Sequence, residues 1–248
     1  MIIRKSPDEI DLMREAGRIV AEVIEAVKEE VKPGVKTKYL DKIAEDYILG
    51  KQARPAFKGY HGFPASICVS VNEAVVHGIP SDYRLQPGQI VSIDIGVEHK
   101  GYYGDAALTV PVGEVSAEAS RLIEITEKSL NAGIDNCRIG QRLFDVSHAI
   151  QEVAEGAGFS VVREYVGHGI GREMHEDPQI PNFGTPGKGP LLEEGMVFAL
   201  EPMVNAGSHK VEVLSDNWTV VTEDRRLSAH FEHTVAITLN GPVILTSL

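Results

Sequence analysis

"QIVSIDIGVEHKGYYGDAALTV", residues 89–110, reads as two alternating strands joined by a tight turn, with an aspartate in the middle of each. Aspartate is depleted in strands, and a buried carboxylate without a partner is costly. A turn centred on His99–Lys100 sets Asp94 directly opposite Asp105, with Cβ atoms about 4.5–5.5 Å apart. By the strand period of two, Ser92, Asp94, Gly96, Tyr103, Asp105 and Ala107 share one face, while Val91, Ile93, Ile95 and Val97 occupy the other. The second face suits packing beneath helices. The first carries the acids.

The rest of the chain explains them, because its order repeats. "VKPGVKTKYLDKIAEDYI" (31–48) resembles "CRIGQRLFDVSHAIQEVA" (137–154), and "VVHGIP" (75–80) resembles "VGHGIG" (166–171). "LQPGQIVSIDIGV" aligns with "LEEGMVFALEPMV", setting Asp94 on Glu201, and "GDAALTV" with "FEHTVAI", setting Asp105 on Glu232. The spacing from His-Gly-Ile to the first acid is 17 residues in one half and 33 in the other. The extra residues lie in a Gly/Pro-rich loop near 172–190. Helical periodicity over 6–31, 37–49, 117–134 and 143–158 frames the strands, with Ser6, Pro7 and Glu9 forming a helix-start signature. The pattern predicts an α+β chain of two helix–helix–strand halves, about 1–113 and 114–248, related by a pseudo-twofold axis.

In the second half Val197, Ala199, Glu201 and Met203 share a face, as do Glu232 and Thr234, so each half offers a carboxylate pair. A lone strand acid commonly sits at an exposed edge or beside a lysine or arginine. Four at related positions ask for another account. They cannot all stay ionised together in a partly dry site, and two divalent cations would balance them. Oxygen ligands with one imidazole, for which His168 is placed, suit Mn, Fe, Co or Zn rather than a thiolate zinc site. Two such ions about 3.5–4 Å apart can activate a shared hydroxide and polarise a carbonyl, the chemistry of metal-assisted peptide hydrolysis.

Composition narrows the alternatives. The 248 residues are 43% hydrophobic and 24% charged, enough for a sizeable core. A net charge of −12 argues against a binder of phosphate backbones, and no nucleic-acid motif is present. No signal-peptide core or membrane-length apolar run is found, and two cysteines, Cys68 and Cys137, make no disulfide framework, which together predict a cytoplasmic protein.

The motifs "VSIDIG", "GYYGDAALT", "GHGIG", "ALEPM" and "FEHT" stand in the order and spacing of the type 1 methionine aminopeptidases, and the chain resembles that family along essentially its whole length. The resemblance implies a single catalytic domain, 1–248, with the pita-bread fold. It implies two divalent ions: Asp94 on one, His168 and Glu201 on the other, Asp105 and Glu232 bridging both, and Glu201 also shuttling the proton of the nucleophilic water. His77 and His175 match the two histidines that steady the scissile amide and the oxyanion. Tyr60, Phe63, Cys68, Met174 and Trp218 match the methionine pocket, and Asn72, Ala74 and Ser228 a backbone site for a monovalent cation. The short span from His175 to Glu201 lacks the helical insert of type 2 enzymes, and the short N-terminus lacks a zinc-binding extension. Met174 stands where many bacterial relatives carry Phe, Phe63 where many carry Tyr, and Gly96 where some carry Thr; these bear on pocket shape rather than on the reaction.

The implied activity is removal of the initiator methionine from nascent polypeptides with a small second residue, by a monomer in transient contact with the ribosome. Rival readings are a proline-specific peptidase of the same fold (an Xaa-Pro aminopeptidase or prolidase) and a non-catalytic peptide-binding relative. "HED" at 175–177 prompts a non-haem iron oxygenase, which leaves the four repeated acids unexplained. Cys68 near His77 prompts a thiol nucleophile, against which stands the habit of cysteine to be simply buried.

Overall fold

The computed structural model describes all 248 residues. Four helices form where apolar spacing places them: α1 (Pro7–Glu29), α2 (Thr37–Gly50), α3 (Ala117–Asn136) and α4 (Leu143–Gly156). α1 starts in a full capping box: Ser6 Oγ accepts from the Glu9 N–H, and the Glu9 carboxylate accepts from the Ser6 N–H. Two donors that a helix start leaves open are thereby satisfied.

The main sheet comprises β1 (Arg54–Pro55), β2 (Cys68–Val71), β3 (Ile90–His99), β4 (Tyr102–Pro111), β5 (Gly167–Gly169), β6 (Glu176–Ile180), β7 (Val197–Leu200), β8 (Glu232–Thr238) and β9 (Gly241–Ile244). Its order is β1-β3-β4-β8-β7-β5-β6, antiparallel throughout, with β2 also on the free edge of β3 and β9 also on β8. The halves meet at β4–β8. Outward from that seam, β4-β3 in one half corresponds to β8-β7 in the other; beyond them the halves differ, because β5 carries His168 while the aligned His77 follows the Ala74–Val76 strand of a separate small sheet. Short strands at Met203–Asn205, Ser228–His230 and Ser160–Val161 form one small sheet, and Ala74–Val76, Val220–Thr222 and Val211–Val213 another.

Helices cover the bulky face. Val91, Ile93, Ile95 and Val97 of β3 pack with Val20, Ile24 and Leu40 in one core. Phe198, Leu200, Val235 and Ile237 pack with Leu122, Leu130 and Ile150 in the other. α1 comes close enough to touch backbone. A Cβ on Gly17 would lie 2.4 Å from the Leu245 carbonyl oxygen, and one on Gly104 would lie 2.8 Å from the Gly17 nitrogen. Only glycine admits that approach.

Three expectations change. The hairpin turn is centred on Lys100–Gly101, both at positive φ (53° and 81°), with His99 opposite Tyr102. A two-residue hairpin loop of type I′ needs that backbone at both central positions, and glycine supplies one of them. Asp94 therefore faces Ala107 and Asp105 faces Gly96, so the two acids are diagonal neighbours rather than opposed. Their shared face is unchanged, because a turn displaced by one residue moves the pairing by two. Second, "VVREYVGHGI" (161–170) and "GMVFALEPMV" (195–204), whose patterning reads as one strand each, are both broken, the latter at Glu201–Pro202, where proline cannot donate to a ladder. Third, the Gly/Pro-rich loop contains β6, a sheet edge that accommodates Pro178.

Candidate metal centre

Register brings the predicted residues together in two neighbouring rows across the sheet. Asp94 faces Cys68 on one side and Ala107 on the other, and Ala107 faces Glu232. Leu200 faces His233, and Met203 faces His230, so the same antiparallel register sets Glu201 against Glu232. In the second row Gly96 faces Asp105, and Ala199 stands between Thr234 and His168. Thr234 links the halves: its Oγ1 accepts from the Asp105 N–H at 3.0 Å and donates to the Asp105 carbonyl at 2.8 Å. Small residues at 107 and 199 stand between the acids in these rows, and Gly96 admits Phe57 and Met174 against the sheet. Asp94, Asp105, His168, Glu201 and Glu232 all line one cavity of about 450 Å³.

The cluster is largely buried, with Asp94 and Glu201 keeping some exposure, and it is under-satisfied. Asp94 Oδ1, Asp105 Oδ1 and Glu232 Oε1 are inaccessible and make no hydrogen bond, which is costly for charged oxygens. Burial pushes the Asp94 carboxyl up to about 7. Burial, then the charges of Asp94 and Glu201, raises Asp105 well above the usual carboxylate range. Burial and Asp94 do the same to Glu201, and burial followed by Asp105, Glu201 and Asp94 to Glu232. His168 donates from Nδ1 to the Gly169 carbonyl at 2.9 Å, which leaves Nε2 bare. That nitrogen lies 3.5 Å from Glu201 Oε1 and 3.9 Å from Asp105 Oδ2. Burial, then the neighbouring His175, lowers the His168 imidazole to about 3, so it is neutral and able to ligate. Ligand atoms of Asp105, His168 and Glu232 all lie within 4.8 Å of one another. Unpaired oxygens of mutually repelling acids beside a free imidazole nitrogen fit divalent cations.

The other expected residues surround this floor. Tyr60, Phe63, Cys68, His77, Met174, His175 and Trp218 line the same cavity. Phe63 and Trp218 meet edge-on at 5.1 Å, and Met174 is 2% exposed. Tyr60 Oη and His175 Nδ1 are 2.8 Å apart, and the His175 ring lies 4.2 Å from that of His168. His77 adopts φ 59°, sparsely populated for a residue with a side chain; burial, then His175, lowers its imidazole to about 4. Cys68 is no thiolate: burial, then the nearby acids, raises its thiol well above the usual range. Asn72 and Ser228 lie together, the Ser228 N–H donating to the Asn72 carbonyl at 2.9 Å, while Ala74 pairs with Val221.

Phe57 and His61 also line the cavity, from the same stretch, "FKGYHGF" (57–63), that supplies Tyr60 and Phe63. His230 is a further addition, with Nε2 3.9 Å from both Glu201 Oε2 and Glu232 Oε2. Its position two residues before Glu232 is the one clue that sequence offers.

Acids and imidazole on the floor of an apolar cavity define a metal-dependent hydrolase site. Residues 11–239 match the family model of metallopeptidase family M24. Methionine aminopeptidase 1 of Bacillus subtilis is 58% identical over 99% of both chains. The crystal structure of methionine aminopeptidase from Thermotoga maritima superposes with a TM-score of 0.99 at 47% identity, covering 100% of both chains. The prolidase from Pyrococcus furiosus shares the pita-bread fold, with a TM-score of 0.81 at 24% identity, covering 99% of this chain and 66% of that one. The chain belongs to metallopeptidase family M24 and, within it, to the methionine aminopeptidases.

Proposed function

We propose that this aminopeptidase removes the N-terminal methionine from nascent polypeptides whose second residue is small, using residues 1–248 as one catalytic unit. The observation that carries the reading is the convergence of the buried Asp105 and Glu232, the partly buried Asp94 and Glu201, and His168 on the floor of an aromatic-walled cavity. Asp94 would hold one divalent cation, His168 and Glu201 a second, with Asp105 and Glu232 shared; Co, Mn, Fe and Zn all suit this donor set. When bound, such ions supply a water of lowered pKa and a Lewis acid for the carbonyl.

The remaining tasks belong to side chains. Tyr60, Phe63, Cys68, Met174 and Trp218 enclose the methionine thioether, to which aromatic edges and a soft sulfur are well matched. Glu201 takes the proton of the attacking water and returns it to the leaving amine. With Tyr60 donating to Nδ1, His175 carries its proton on Nε2 and offers it to the oxyanion, while neutral His77 steadies the scissile amide. A bulky second residue would crowd His175 and the acids. A monovalent cation on the backbone of Asn72, Ala74 and Ser228 would tie the rim strands, a reading supported by the Ser228–Asn72 hydrogen bond.

We place this activity in the cytoplasm, in a monomer that meets its substrates during transient contact with the ribosome. No helix is long and apolar enough to cross a membrane. The test is an assay of metal-reconstituted protein on Met-Ala-Ser and Ala-Pro-Ala peptides. Cleavage of the methionyl peptide is expected. Cleavage of Ala-Pro-Ala alone would assign the chain to the proline-specific peptidases instead.

A further inference from the structure

His230 is a buried imidazole without a role in the chemistry above. It is 1% exposed, and its Nε2 makes no hydrogen bond. That nitrogen is 3.9 Å from Glu201 Oε2 and 3.9 Å from Glu232 Oε2. Glu201 is therefore bracketed, with His168 facing Oε1 at 3.5 Å and His230 facing Oε2. The His230 backbone is held firmly: its N–H donates to Thr109 Oγ1 at 2.8 Å, and its carbonyl accepts from the same hydroxyl at 2.9 Å. Pairing with Met203 completes the anchoring. A rigidly mounted ring nitrogen, dry and unpartnered between two acids, is costly unless those acids come to it.

We propose that His230 is a positioning residue for the metal-binding carboxylates. With its proton on Nε2 it donates to the near oxygens of Glu201 and Glu232, a shift of about 1 Å closing either gap to hydrogen-bond distance. The far oxygens of both side chains are then held toward the cation site. Outer hydrogen bonds of this kind orient ligating carboxylates and raise affinity for the ion. The inference rests on the metallopeptidase reading of the same site.

The test is titration of Co²⁺ into the metal-free, full-length protein, read by calorimetry and by the visible absorption of the bound ion. The variants are His230→Gln, which keeps an N–H donor, and His230→Ala, which removes it. His230→Ala should bind Co²⁺ about 10–100-fold more weakly and His230→Gln within about threefold of the parent. Thermal melting of the metal-free variants reports folding independently. Unchanged affinity in His230→Ala would reduce the residue to a packing role and overturn the proposal. Equal loss in both variants, with an altered parent spectrum, would make His230 a direct ligand and also overturn it. A parent protein that binds no Co²⁺ would sink the metal-site reading itself.

Discussion

Lys5 and Glu176 form an ion pair at 2.5 Å with side chains only 3% and 6% exposed. The other Glu176 oxygen accepts the N–H groups of Arg172 at 2.9 Å and Glu173 at 3.4 Å. One carboxylate thus closes the loop that presents Met174 and His175, and one lysine neutralises it. Lys5→Met leaves the carboxylate buried and unpaired, a loss of about 3–5 kcal/mol. Chemical denaturation should show that loss, and KM for Met-Ala-Ser should rise as the loop loosens. Parent-like values of both would show that the pair does not brace the loop.

Gly96 offers a handle on specificity. A Cβ there would lie 2.6 Å from Phe57 Cε1, 3.0 Å from Ala56 Cβ and 3.1 Å from Met174 Cε, so any side chain presses on the cavity wall. Gly96→Val should cost about 1–3 kcal/mol through overpacking. The methionine pocket shrinks with it, and KM for Met-Ala-Ser should rise about tenfold, the equivalent of 1.4 kcal/mol. Steady-state kinetics on purified variant decide the matter, and an unchanged KM would move the pocket away from Met174.

The acid cluster sets how metal-free stability responds to pH. An unfolded aspartate releases its proton near 4, whereas Asp94 in the fold holds it to about 7. Between those values the folded Asp94 carboxyl binds more protons than the unfolded one, so its contribution to stability falls as pH rises. Asp105, Glu201 and Glu232 are raised as well and extend the decline. Each such carboxyl contributes about 1.4 kcal/mol per pH unit, a Tm loss of about 3–6 °C for a chain of this size. Below about pH 6.5 the buried imidazoles of His77, His168, His230 and His233, all lowered in the fold, oppose this trend. Melting of the chelator-treated protein between about pH 6.5 and 8, where those histidines are neutral folded and unfolded alike, should therefore show the fall, and added Co²⁺ should raise Tm more at the higher pH. A flat profile would mean that the acids are solvated after all.

The two rows of ligands are legible in sequence because a strand has a period of two, and parity survives an error in the turn. Centring the hairpin on His99 rather than Lys100 mispairs Asp94 and Asp105 yet leaves both on the cavity face. Pairings that depend on distant chain segments leave no such trace. Lys5 meets Glu176, and His230 meets Glu201, only after the sheet has formed. β6 escapes sequence reading because Pro178 speaks against a strand, and only its edge position removes the objection.

Glu201 and Asp105 should fail in different ways. Glu201→Gln keeps the side chain's length and one oxygen beside His168, but the amide cannot take up the proton of the attacking water. Loss of a general base costs about 10²–10⁴-fold in rate, so kcat should fall by that order with the fold intact. Asp105 presents a buried, unpartnered oxygen within the cluster that also holds His168 and Glu232. Asp105→Ala deletes that donor, so Co²⁺ affinity should drop together with kcat. Calorimetry and single-turnover kinetics on the two variants separate the outcomes. Near-normal turnover in either would remove that residue from the mechanism.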